Sequence, residues 1–269
     1  MSRFLRSELR IVFGRRRNQL LLGVVALFPL LIGIGLRAAA PQRGSQNGAF
    51  FSQLAGNGVF LVFIALSTLL LLVLPVAVGV VSGDSIAGEA GHGTLRYLVT
   101  APVGRTRMLA VKLAVVTAFG VVATFVVAAV GLITGVALFS VGPVTLLSGT
   151  TVSLPDGLLR VFLVTLYICV AMAALGAIGL AISTLTEHPI GAIAAVLILT
   201  VTSEVIDQIP QFAVVGPYLP THWWDDFDAL LRTPVDTGTL TRGLLSFVVY
   251  GVLFSLFAWA RFTTADITS

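Results

Sequence analysis

Two groups of residues have the types that do chemistry in an otherwise oily chain. Glu204 and Asp207 lie three positions apart near the end of an apolar run. Carboxylates inside a membrane-crossing stretch are costly and commonly functional. The pair reads as an outer gate or substrate contact, or as a boundary where Glu204 reaches the headgroups. The second group is His222-Trp223-Trp224-Asp225-Asp226-Phe227-Asp228. One histidine and three aspartates have metal-ligating types. Tryptophans equally populate membrane interfaces, and aspartates in a first helical turn favour its dipole. The expectation for this group is no metal.

Other chemistry is missing. No GxxxxGK[ST] phosphate loop occurs, so the chain itself is not expected to bind ATP by that route. There is no HExxH, and His92, His188 and His222 are far apart in sequence. No GxSxG elbow is present. Cys169, the single cysteine, sits in an apolar run and reads as a small buried hydrophobe. Catalysis by this chain is not expected, and no cofactor is expected in it.

The elements that must carry these residues follow from composition. The 269 residues are 57% hydrophobic and 10% charged, with mean hydropathy +1.02, whereas soluble domains carry about 25% charged residues. Apolar runs approach the roughly 20 residues that cross a bilayer. The expected fold is an all-α polytopic membrane protein, a single transmembrane domain over 1–269. Its six spans are placed at about 19–36, 59–81, 108–139, 158–185, 189–206 and 243–260. Pro75 lies inside the second. The third, at about 48 Å as one helix, exceeds a bilayer core of about 30 Å. It is expected to project, tilt, or break near Gly131 or Gly135. Small residues in span four, Ala173, Gly176, Ala177, Gly179 and Ala181, permit close helix approach, within one subunit or across a dimer. Arg15-Arg16-Arg17 before an apolar run resembles a signal peptide, but that run is longer than a roughly 7–15-residue h-region. It reads as a retained span.

Residues 3–13 place Arg3, Arg6 and Arg10 opposite Leu5, Leu9, Val12 and Phe13, the pattern of a helix in the membrane surface. The segment of about 204–242 contains "IPQFAVVGPYLP". It is apolar, too short to span and broken by prolines, hence re-entrant or interfacial. With the N-terminus placed in the cytoplasm, inner segments hold eleven basic residues: Arg3, Arg6, Arg10, Arg15, Arg16, Arg17, Arg96, Arg105, Arg107, Lys112 and Arg261. Outer segments hold five: Arg37, Arg43, Arg160, Arg232 and Arg242. That positive-inside bias makes Gly88–Lys112 cytoplasmic and returns the C-terminus to the same side.

The Gly88–Lys112 stretch is polar and ordered in pattern. Ser82-Gly83-Asp84-Ser85 after span two offers a helix cap. Gly91 and Gly93 flank His92 and permit a bend. Thr94 can cap a short helix, "LRYLVTA", whose Leu95, Leu98 and Val99 form one apolar side. Pro102 ends it. Arg105, Arg107 and Lys112 mark the return to the membrane.

The order Glu89, Gly93-Thr94-Leu95, Pro102, Arg105, Lys112 resembles the "E…GTL…P…R…K" signature of ABC-2-type permeases, the membrane subunits of bacterial ATP-binding-cassette exporters. The basic amphipathic start, six spans and broken segment before span six extend the likeness over the whole chain. His92 between the glycines is a departure for which the likeness sets no expectation. The resemblance implies that Glu89, Gly91, Gly93, Thr94, Leu95, Leu98 and Pro102 belong to a coupling helix contacting a separate ATPase, which holds ATP and Mg. It implies a second permease copy or paralogue, residence in the bacterial cytoplasmic membrane, and a pathway between subunits. Almost charge-free spans favour a lipophilic or amphipathic cargo, with Ser67, Thr68, Thr200 and Thr202 as available hydroxyls. Membrane lipid is an expected partner and nucleic acid is not. The rival reading is an ATP-independent secondary transporter or channel working through Glu204 and Asp207.

Overall fold

The computed structural model describes residues 2–39, 57–91, 104–146 and 148–264. The fold is all-α and polytopic, and among the described residues six helices are long and apolar enough to cross a membrane. Helix α1 (Ser2–Gly14) turns at Arg15 into α2 (Arg16–Ala39). Then come α3 (Phe60–Leu71), α4 (Val73–Gly91) and α5 (Arg105–Leu138). A two-residue hairpin, β1 (Val144–Thr145) with β2 (Thr151–Val152), leads to α6 (Leu154–Ser183), α7 (Pro189–Asp207) and α8 (Thr237–Thr264). Three 3-10 turns, Pro210–Phe212, Gly216–Tyr218 and Asp225–Leu231, join α7 to α8.

Helix α6 is the central member and packs against α8, α4, α5 and α7. Its own Ile168 and Met172 are fully buried, as are Phe119, Phe247, Leu66 and Leu74 on neighbouring helices. Gly176 and Gly179 of α6 meet Val116 and Ser82, and Ala177 and Ala181 are buried. The small residues therefore serve packing within one chain. Cys169 is buried beside them and free of any disulfide.

The second span differs from the single helix expected over 59–81. Pro75 has no N–H to give the carbonyl of Leu71, and its ring crowds that carbonyl. The chain breaks at Leu72, with φ −144° and ψ −49°. The 12 residues of α3 reach only about 18 Å, so α3 and α4 together make one broken crossing. Helix α4 then continues to Gly91. Ser82 and Asp84 are thus interior helical residues and not caps. Packing overrides their propensity: Gly83 lies against the backbone of Ile193, and Gly91 against the carbonyl of Glu187.

No break occurs in α5, whose 34 residues run to about 51 Å. Gly131 and Gly135 are instead points of close approach. Gly131 faces Val62, and at Gly135 an added Cβ would overlap the carbonyl of Gly58. Asn57 fastens this corner by donating to the carbonyls of Gly142 and Pro143, both at 2.8 Å. The apolar side of α1 rests on the bundle: Phe13 meets the ring of Phe119 at 5.8 Å, and Phe4 joins Ile86, Met108 and Phe262. Arg3, Arg6 and Arg10 stay exposed.

Candidate functional site

The charged side chains gather at two ends of the bundle. The basic end holds the elbow between α1 and α2, the end of α4 and the start of α5. Asn18, buried at the elbow, donates to the carbonyl of Val12 at 2.8 Å, and Gln19 donates to that of Phe13 at 3.1 Å. These bonds satisfy carbonyls that the end of α1 leaves open. Arg15 and Arg17 thereby reach Asp84 of α4, each donating to its Oδ2 at 2.7 Å.

One turn further, Lys112 of α5 crosses to α4. Its ammonium donates to Oε1 of Glu89 at 2.6 Å and to the carbonyl of Ser85 at 2.9 Å, and lies 4.0 Å from Glu8 of α1. The Lys112 side chain is 4% exposed. A buried ammonium is tolerated when paired and hydrogen-bonded, and both conditions hold. Glu89 and Lys112, the first and last residues of the signature, are therefore in direct contact.

The start of α5 is tied elsewhere. Arg105 donates to the carbonyls of Thr263 at 3.0 Å and Phe262 at 3.5 Å. A cation at those last carbonyls suits the C-terminal end of α8. The indole of Trp259 donates to Thr106 at 2.9 Å. Both flanks of 92–103 are thus anchored, α4 to α5 and α5 to α8. Gly93, Thr94, Leu95, Leu98 and Pro102, with the expected short helix, lie outside the described residues. Of the expected coupling residues, Glu89 and Gly91 are placed, in the last turn of α4.

A hydroxyl enters the backbone ladder of α4 nearby. Ser183 of α6 accepts from the amides of Ile86 at 3.0 Å and Ala87 at 2.9 Å, and donates to the carbonyl of Gly83 at 2.7 Å. A side chain inserted into the i→i−4 ladder is a standard origin of helix bends.

At the other end, the segment 208–236 forms a cap of short turns. Ser203 of α7 shares a hydrogen bond with Thr221 at 2.8 Å, and Asp207 meets Nδ1 of His222 at 2.6 Å. Tyr167 of α6 donates to the carbonyl of Trp223 at 2.7 Å. Arg160 donates to the carbonyl of Leu230, and Tyr250 of α8 to that of Tyr218. Trp224, Phe227 and Leu231 are buried beneath. Burial pushes the Asp226 carboxyl above the usual carboxylate range; Asp228, Asp225 and Asp207 add to this and His222 offsets it. The Asp236 carboxyl, ahead of α8, is held below that range chiefly by the Thr239 hydroxyl. Glu204 is half-buried next to Ser203. Among the described residues no group of three or more His, Cys, Asp or Glu is arranged to hold a metal ion.

Sequence reasoning marked Lys112 and Glu89 but left Asp84 as a cap and passed over Glu8 and Ser183. The readable signal for Glu8 was its register, on the same side of α1 as Leu5, Leu9 and Val12.

Comparison with known proteins gives one family match. Residues 14–203 match the family described as ABC-2 family transporter protein. A search of curated proteins found no match.

Proposed function

This chain belongs to the ABC-2 family of transporter proteins, and on that premise we propose that it is the permease subunit of an ATP-driven exporter whose ATPase is a separate chain. The observation that carries this reading is the Glu89–Lys112 clasp at 2.6 Å across the base of 92–103. A segment held at both flanks passes force to the helices behind it. In this mechanism ATP-driven closure of the ATPase pair displaces 92–103. The inner ends of α4 and α5 follow together because Lys112 joins them. Arg105 carries the displacement into α8, and the Ser183 insertion gives α4 a place to bend.

The cargo route runs between this chain and a second permease. Ser67, Thr68, Leu71 and Leu72 share an exposed face at the broken crossing. Irregular backbone at membrane depth is tolerated where it faces protein or a water-lined space, which favours that face as the wall of the route. Few charges line the spans, in keeping with a lipophilic or amphipathic cargo. Both termini are cytoplasmic in this reading, and the membrane is the bacterial cytoplasmic membrane. ATP and Mg belong to the partner ATPase. Asp207 anchors the cap through His222, so Glu204 and Asp207 act at the outer gate.

The test is reconstitution of the permease with its ATPase in proteoliposomes, carrying Glu89→Gln, Gly93→Leu or Thr94→Ala. Transport per ATP hydrolysed should fall roughly five- to tenfold, at the low end of ordinary coupling free energies, with the ATPase still co-purifying. Unchanged coupling in all three would refute the proposed role of the segment. Transport that persists without ATPase would favour the secondary-transporter reading.

A further inference from the structure

A cavity of about 260 Å³ opens at the basic end, between α1, the elbow, α4 and α5. At about 30 Å³ per water it has room for a multi-atom group rather than a single ion. Its lining has three chemistries. Ile11, Val12, Val81, Val115 and Val116 supply an apolar wall. Arg15 and Arg17 supply positive charge, and their side chains remain 48% and 45% exposed. Glu8 supplies negative charge, although its side chain is only 12% exposed.

Lys112, Asp84 and Glu89 also line the cavity, so its charges balance in number, which suits a zwitterion, but they are unevenly paired. Among the described residues Arg15 commits one hydrogen bond, to Asp84, and Arg17 commits two, to Asp84 and Asn18. A guanidinium has five N–H donors, so both retain donors that can take phosphate oxygens. Among the described residues Glu8 has one ion pair, to Lys112 at 4.0 Å, and Lys112 is already engaged at 2.6 Å by Glu89. A mostly buried carboxylate with so distant a partner favours a further cation beside it. Spare anion-binding capacity and spare cation-binding capacity thus face one cavity with an apolar wall.

The geometry points to a binding site for one aminophospholipid: phosphate on Arg15 and Arg17, primary ammonium on Glu8, and the start of the acyl region along Ile11, Val81 and Val115. Juxtamembrane basic clusters recruit lipid headgroups; here Glu8 adds selection for an amine. The site goes beyond the transport reading and uses that reading's orientation only to name the leaflet, the cytoplasmic one.

The test uses the purified full chain in detergent, equilibrated with equal amounts of phosphatidylethanolamine, phosphatidylcholine and phosphatidylglycerol of matched chains. Retained lipid is counted by native mass spectrometry. One phosphatidylethanolamine should be retained, about tenfold over each competitor, the low end for one charge-assisted hydrogen bond. Glu8→Gln should bring phosphatidylethanolamine and phosphatidylcholine to parity. Arg15→Gln with Arg17→Gln should release all three. Equal retention by the wild-type chain, preference for phosphatidylglycerol, or undiminished selectivity in Glu8→Gln would each overturn the site. Displacement by soluble phosphoethanolamine as effective as by whole lipid would assign it to a free metabolite instead. The wild-type competition needs no variant to fold, and because it reads neither transport nor sidedness, its outcome is separate from that of the exporter reading.

Discussion

Lys112 faces two carboxylates, Glu89 and Glu8, and the backbone carbonyl of Ser85, and its removal has consequences that can be separated. Lys112→Met takes away the ammonium that now stands 2.6 Å from the Glu89 carboxylate. Breaking one side of a buried pair costs about 3 kcal/mol or more, so thermal unfolding in detergent should shift well below that of the parent chain. Lys112→Met with Glu89→Gln removes both charges and should recover part of that loss, with an interaction energy of at least about 1 kcal/mol in the double-mutant cycle. Additive losses would show that the two side chains do not share a bond in the working protein. Lys112 was conspicuous in the sequence as the sole lysine, and Glu89 as part of a signature. Asp84 was less legible. Among Ser, Gly and Asp it has the composition of a helix cap, and only the neighbouring Ile193 backbone and the Arg15 and Arg17 side chains make it an interior acceptor.

At the level of elements, the spans were legible because length and hydropathy alone mark a crossing. What the pattern did not give was how two helices fit together. Pro75 announced a disturbance, but its outcome as a break at Leu72 depends on Leu69, Leu70 and Leu74 all finding buried positions on either side. Gly131 and Gly135 are weak helix residues by propensity, yet α5 runs through them because Val62 and Gly58 require the space. The contact of Ser183 with α4 is a tertiary event separated by about a hundred residues in sequence, and no local signal reports it. Ser183→Ala tests that element. The amides of Ile86 and Ala87 lose their acceptor, at a cost of about 1–2 kcal/mol, and α4 loses this tie to α6. A spin-label distance between the inner end of α4 and α7 should change and narrow relative to the parent chain. An unaltered distribution would show that the inserted hydroxyl does not set the position of the inner end of α4.

For the molecule as a whole, burial is uneven. Helices α4 and α6 are enclosed, while α2, α7 and α8 turn long apolar faces outward, including Leu27, Leu31, Ile198, Val249, Leu253 and Leu256. Those faces suit lipid tails or another apolar helix, and the charged residues concentrate at the bundle's ends. The charge count predicts which end is inside, and labelling checks it. Cys169 is buried, so it supplies a quiet background for introduced cysteines. In intact cells an impermeant maleimide should modify Ser148→Cys and Thr233→Cys but not Ser7→Cys. Modification of Ser7→Cys alone would invert the orientation.

The staple from Arg105 to the carbonyls of Phe262 and Thr263 has a practical corollary. A fluorophore on the solvent side of α8 near Thr264 would ride with the membrane-entry end of α5, and so would work as a strain gauge for the ATPase-driven motion proposed above. Residues 92–103 themselves would carry no label.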